Sequence, residues 1–99
     1  MARQVITGID IGSSQVKVII AEGTFVNKHF TPKIIALSTA ETRGVERGYI
    51  VDSAEAAASI QTAVARAEKT AGFKVRRAYV SFGGLGLGSV VGNASRASL

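Results

Sequence analysis

Two short apolar segments near the N-terminus restrict the fold of this 99-residue chain more than any other feature. Residues 3–11 are mostly apolar, and apolar and polar residues alternate at the start of residues 15–22. Between them lie Gly12, Ser13 and Ser14, which are residue types that favour turns. Two strands with so short a connection predict an antiparallel hairpin. Because the first strand has apolar residues on both sides, we expect both of its faces to be buried.

The later segments extend this hairpin into a larger sheet. Residues 23–32 are interpreted as a loop or a frayed strand end, and residues 33–40 as a third strand. Residues 53–71 have helical periodicity, and residues 75–82 are predicted to form a fourth strand. A helix between two strands favours a parallel crossover. The order β-turn-β-β-α-β therefore predicts an α/β fold with a mixed sheet. With only one predicted helix to cover it, one face of this apolar sheet is expected to be bare and to promote association.

The predicted helix has clear signals at both ends. Asp52 stands at the N-cap position with Glu55 three residues later, which is the spacing of a capping box. Gly72 follows the last turn, where glycine commonly ends a helix. Glu68 is expected to be a solvated charge. The apolar stripe that should face the sheet consists of Ala56, Ile60, Val64, Ala67 and Ala71.

Composition excludes several classes of site. The chain has no cysteine, so it has neither disulfides nor thiolate metal ligands. No signal peptide and no apolar run long enough to span a membrane is visible, which favours a cytoplasmic location. The net charge is +5, but only Lys74, Arg76 and Arg77 cluster, and no aromatic residues interleave with them. A nucleic-acid partner is therefore not predicted.

The first turn carries the residues best suited to chemistry. Backbone N–H groups of a tight turn at Gly12, Ser13 and Ser14 can surround phosphate oxygens. Asp10 can hold Mg²⁺ through water, because Mg²⁺ keeps several of its waters in proteins. Lys17 can add a positive charge. The same residues also suit an ordinary hairpin turn, so the pattern alone leaves both interpretations open.

Three segments in order resemble one protein family. Residues 8–17 resemble the first phosphate motif of the actin, Hsp70 and sugar-kinase superfamily. Residues 43–52 resemble the R-G-x-x-x-G-x-I-x-D connection of FtsA proteins. Residues 56–75 and 76–84 resemble the helix and strand that follow in that family. The similarity covers roughly residues 5–84.

The resemblance implies a ribonuclease H-like, actin-like ATPase fold. It implies that Gly12, Ser13 and Ser14 contact the phosphates of ATP, that Lys17 helps to neutralise them, and that Asp10 is the Mg²⁺-water ligand. FtsA proteins are actin-like division proteins that bind ATP, polymerise into filaments and link the FtsZ ring to the inner face of the cytoplasmic membrane. The expected partners are therefore FtsZ, other division proteins and further copies of the same chain.

The resemblance also implies a division of the chain. Residues 1–82 would be the first part of subdomain 1A, and residues 83–99 would begin the family-specific subdomain 1C or form a flexible tail. The family's second phosphate motif, its adenosine motif and its C-terminal membrane-binding helix would lie beyond residue 99. We therefore expect an incomplete nucleotide site and no ATPase activity from these residues alone. The alternatives are an actin-like docking protein of pilus assembly and a small non-enzymatic binding module.

Overall fold

The computed structural model describes residues 2–82 and 87–90. Its long strands are β1 (Ala2–Ile11), β2 (Gln15–Val26) and β3 (His29–Glu41). Two short strands follow, β4 (Val45–Glu46) and β5 (Tyr49–Ile50), and then the helix α1 (Ser53–Ala71). The last described strands are β6 (Ala78–Phe82) and β7 (Leu87–Val90).

The main sheet has the strand order β3-β2-β1-β6-β7. β1 pairs antiparallel with β2 and parallel with β6, and the other pairs in this sheet are antiparallel. The predicted hairpin, the parallel crossover through the helix and the mixed sheet are confirmed. β4 and β5 form a separate two-stranded hairpin inside the connection that leads to α1.

The core lies between α1 and one face of the sheet. Val16, Val18 and Ile20 of β2 have no exposed surface, and Ile9 and Ile11 of β1 are also buried. The helix contributes the predicted stripe, of which only Ala71 remains partly exposed. The side chain of Ser38 donates to the carbonyl oxygen of Ala63 at 2.6 Å and thereby ties β3 to the helix.

Both helix caps are confirmed. Asp52 has an extended backbone, and its carboxylate accepts the N–H of Glu55 at 3.0 Å. Gly72 has a φ of 87°, and its N–H donates to the carbonyl oxygen of Glu68 at 2.8 Å. A left-handed residue at this position is the usual end of a helix and costs glycine little.

The opposite face of the sheet is open among the described residues. Ile34, Leu37 and Tyr79 lie on it with more than half of their surface exposed. The general expectation that such a strand is buried on both faces therefore does not hold for this part of the chain, whereas the expectation that one helix leaves the other face bare is confirmed for the described residues. The sequence correctly indicates an apolar strand. Whether the second face of that strand is buried depends on a further layer, and no described element covers that face. A bare apolar face of this kind favours association.

Of the two interpretations of residues 23–32, the loop is wrong and strand ends are closer to the structure, because β2 continues to Val26 and β3 starts at His29. Asn27 and Lys28 form that turn, with φ angles of 52° and 66°. Phe30 packs over Gly23, where a Cβ would lie 2.5 Å from the ring. The ring of Phe30 also contacts Phe25 at a centroid distance of 5.1 Å. These aromatic contacts stabilise the far end of the hairpin.

The prediction that Glu68 is solvated is also wrong. Its side chain is 8% exposed and accepts the backbone N–H of Val75 at 2.7 Å. Lys74 lies 3.8 Å from the same carboxylate. Because the chain folds back onto this carboxylate after α1, residues 75–77 are not part of a strand, and β6 starts only at Ala78.

The segment after β6 is expected from the sequence to begin subdomain 1C or to form a flexible tail. Its residues 87–90 form β7, which pairs antiparallel with β6. Residues 83–86 and 91–99 lie outside the described residues, so the subdomain boundary at residue 83 stays a prediction.

Candidate functional site

The turn between β1 and β2 has the geometry of a tight backbone loop. The N–H of Gly12 donates to the carbonyl oxygen of Gln15 at 3.0 Å. The carbonyl oxygen of Ser14 accepts the N–H of Thr42 at 3.1 Å, which ties the turn to the end of β3. Neither bond uses the N–H groups of Ser13 and Ser14, and both serine residues are exposed. These two amides and two hydroxyls are therefore placed to contact a ligand.

Gly12 has a steric reason to be glycine. A Cβ at this position would lie 3.1 Å from the carbonyl oxygen of Gln15, which is tighter than most real contacts. That oxygen is held by the hydrogen bond that closes the turn, so it cannot move away without loosening the loop. A side chain at Gly12 would consequently change the position of Ser13 and Ser14.

Asp10 and Lys17 are directly opposite each other on β1 and β2. Paired residues of this kind project from the same face of a sheet, with Cβ atoms about 5 Å apart. Here that face is the open one. Asp10 is exposed and Lys17 is partly exposed. Within the described residues, no ion pair engages either side chain, so both charges are available to a ligand.

The exposure of Asp10 changes the reason for regarding it as functional. The sequence suggested a carboxylate inside a strand covered on both sides, where burial without a partner would be costly. In the structure the carboxylate lies at an open face and incurs no such cost. What supports a functional role is its position, one residue before the turn-flanking Ile11 and opposite a lysine.

All five predicted site residues lie at one end of the sheet, but two features of this end were missed. Ser81 of β6 is directly opposite Asp10 on the other side of β1. The β4–β5 hairpin also borders the site, since it shares an open cleft with Ser13. The serine hydroxyl of Ser81, within an otherwise apolar strand, was a possible signal for the first of these features. Its register against β1 could not be read from the sequence.

The glycines and the aspartate of the FtsA-like connection have structural roles. Gly44 and Gly48 have φ angles of 75° and 80°. The carbonyl oxygen of Gly44 accepts the N–H groups of Val51 and Asp52, at 2.8 and 3.1 Å. Asp52 in turn caps α1. This motif therefore fixes the β4–β5 hairpin against the start of the helix and next to the turn.

The described residues do not enclose a metal ion by themselves. No group of three or more histidine, aspartate or glutamate side chains within them is close enough to enclose a metal ion. A magnesium ion held by its waters and by phosphate oxygens, the usual arrangement for Mg²⁺ at phosphate sites, does not require such a group. Within residues 2–82 and 87–90, no helix is both long and apolar enough to cross a membrane.

Comparison with known proteins finds several relatives that share one name, although it finds no matching family model. The chain is 39% identical to the cell division protein FtsA of Streptococcus pneumoniae over 85 residues, which is 85% of this chain and 18% of that protein. It is 32% identical to the FtsA of Borreliella burgdorferi over 96 residues, covering 97% of this chain and 22% of the relative.

A third relative extends the same result to another organism. The chain is 37% identical to the FtsA of Bacillus subtilis over 76 residues, which is 77% of this chain and 16% of that protein. The chain thus spans about a fifth of the length of the curated relatives that it matches.

Proposed function

Because this chain belongs to the FtsA family and corresponds to its N-terminal part, we propose that its first hairpin holds the phosphate end of Mg²⁺-ATP. The family relationship supports a role in cell division. The observation that carries the nucleotide proposal is the arrangement of Asp10 and Lys17. Both side chains are charged, lie on neighbouring strands and have no ion-pair partner among the described residues. The hydrogen bond that closes the turn beside them does not involve the amides of Ser13 and Ser14.

Each residue has a distinct part in this proposal. The amides of Ser13 and Ser14 donate to phosphate oxygens, and their hydroxyls add two further donors. Lys17 supplies a positive charge from the neighbouring strand. Asp10 accepts hydrogen bonds from the waters of a magnesium ion rather than touching phosphate itself. When bound, the ion neutralises part of the phosphate charge.

The residues present fit such a group. The carboxylate and the ammonium are both accessible, and neither is satisfied by a described protein partner. Gly12 leaves the turn without a side chain that would disturb the two serine amides. The open face and the cleft at Ser13 leave room for a phosphate chain on this end of the sheet.

The finer assignments follow from the family relationship. We propose that residues 1–82 form the first part of subdomain 1A of a ribonuclease H-like, actin-like domain. The mixed sheet and the one helix of the described residues are compatible with part of such a domain. Filament formation, the link between the FtsZ ring and the cytoplasmic membrane, and a peripheral location at the division septum are proposed for the whole protein. The described residues contain the first hairpin of that proposed nucleotide site.

Changing Lys17 tests the phosphate assignment. Lys17→Met, in the complete natural polypeptide that carries residues 1–99, is expected to weaken Mg²⁺-ATP binding about tenfold, because a charge-assisted hydrogen bond is lost. Isothermal titration calorimetry measures the change. Lys33→Met is the matched control, since Lys33 lies opposite Glu22 near the other end of β2. Equal affinities of the Lys17 variant and the control would contradict the assignment.

A further inference from the structure

The β4–β5 hairpin borders the turn, but none of its own residues has a part in the proposed phosphate contacts. Together with Ser13 it lines an open cleft of about 700 Å³. The cleft contains one cationic side chain, Arg47, and one anionic side chain, Glu46. The remaining lining residues are Val45, Tyr49 and Val51.

Arg47 has an unfavourable backbone conformation for its residue type. Its φ is 50°, and it is followed by Gly48 at 80°, so these two residues form the turn between β4 and β5. Two-residue hairpin turns with positive φ at both positions favour Asn-Gly or Asp-Gly. An arginine at the first position is disfavoured by its Cβ, and the local turn gains nothing from it.

The side chain of Arg47 has no described partner that would compensate for this conformation. Within residues 2–82 and 87–90, no ion pair engages its guanidinium. Arg43, on the same connection, differs in this respect because it lies 3.6 Å from the carboxylate of Glu41. A positive φ alone does not mark a ligand site, since Lys28 has a φ of 66° in the β2–β3 turn. Arg47 differs because its cleft includes Ser13 of the proposed phosphate turn, so a ligand there could compensate for the strain.

The guanidinium of Arg47 favours the phosphate end of a nucleotide over its base in this cleft. The guanidinium offers several donors that match phosphate oxygens. Glu46 stands next to it and is paired across the hairpin with Tyr49. A negatively charged ligand would be attracted by Arg47 and repelled by Glu46, so the two neighbours would act on it in opposite directions.

We propose that the β4–β5 hairpin is a phosphate-sensing element, in which Arg47 contacts the terminal phosphate of ATP and thereby distinguishes ATP from ADP. This inference rests on the proposed function, because the cleft begins at Ser13 of the phosphate turn. Arg47 acts as a specificity-determining residue. Glu46 weakens the same contact, which keeps the preference for ATP moderate.

The test compares ATP with ADP in the complete natural polypeptide that carries residues 1–99. Arg47→Gln is expected to weaken Mg²⁺-ATP binding about tenfold, since a charged hydrogen bond to the ligand is lost. Binding of Mg²⁺-ADP should change less than about twofold, because ADP lacks the phosphate that Arg47 is proposed to contact. Glu46→Gln should strengthen ATP binding. Arg43→Gln, which removes an arginine outside the cleft, should leave both affinities unchanged.

A second variant separates this effect from misfolding. Arg47→Gly removes the charge and also the unfavourable φ, so it should keep or raise the thermal unfolding temperature while it loses the preference for ATP. The proposal would be overturned if Arg47→Gln weakened ATP and ADP equally, or left both unchanged, while the wild type binds ATP. Absence of any ATP binding by the wild type would instead refute the proposed function on which the inference rests.

Discussion

Asp10→Asn is expected to weaken Mg²⁺-ATP binding by about a hundredfold. This is the upper end of the range for residues that contact the ligands of a metal ion rather than the ion itself. The remaining affinity should no longer respond to Mg²⁺. The substitution keeps the shape of the side chain, removes its charge and replaces one acceptor oxygen with an NH₂ donor. Because Asp10 is exposed on the open face, the fold should not change.

A matched control is available in the same chain. Asp52→Asn makes the same chemical change at the N-cap of α1, where asparagine caps about as well as aspartate. Its ATP affinity and Mg²⁺ dependence should equal those of the wild type. Titrations with and without a chelator measure both variants. An Asp10→Asn protein that retains the full Mg²⁺ effect would show that the metal ion is held elsewhere.

Gly44→Ala is expected to have the largest effect on stability, a loss of about 3 kcal/mol in the free energy of unfolding, from backbone strain and overpacking together. The φ of Gly44 is 75°, and a Cβ there would lie 2.2 Å from the carbonyl oxygen of Asp52 and 2.9 Å from the amide nitrogen of Ala56. Both atoms belong to the start of α1, so the helix cap would have to move.

Gly48→Ala isolates the steric part of that effect. Gly48 has a similar φ of 80°, but nothing lies within 4 Å of a Cβ built there. Its substitution should cost only the strain, about 1 kcal/mol. Urea unfolding of the 99-residue chain at low concentration, followed by circular dichroism, measures both variants. Equal losses at the two positions would mean that the close approach of Asp52 to Gly44 is not important for stability.

Local signals in the sequence predicted much of this fold. The Gly-Ser-Ser break, the capping aspartate and the terminal glycine each act within a few residues, so the hairpin and the limits of α1 are confirmed. The parallel orientation of β6 relative to β3 was also predictable, because a helical connection strongly favours it, but the sequence did not show that β6 pairs with β1.

The missed features depend on contacts between distant parts of the chain. Whether Asp10 is buried depends on what covers the second face of the sheet, which the strand's own sequence does not encode. The burial of Glu68 requires the backbone of Val75 to fold back onto it. Arg47 is not of the residue type expected at its turn position, so the sequence gave only a weak signal for the β4–β5 hairpin. For the same reason, the sequence named the phosphate turn but not the cleft beside it.

The most direct test of the central claim is an NMR titration of the complete natural polypeptide, labelled with ¹⁵N at serine. If the first hairpin binds the phosphates, adding Mg²⁺-ATP should shift the amide resonances of Ser13 and Ser14. Ser38, which bonds to α1 on the covered side of the sheet, should serve as an unchanged internal reference. Saturable ATP binding that leaves Ser13 and Ser14 unshifted, or no binding at all, would contradict the account.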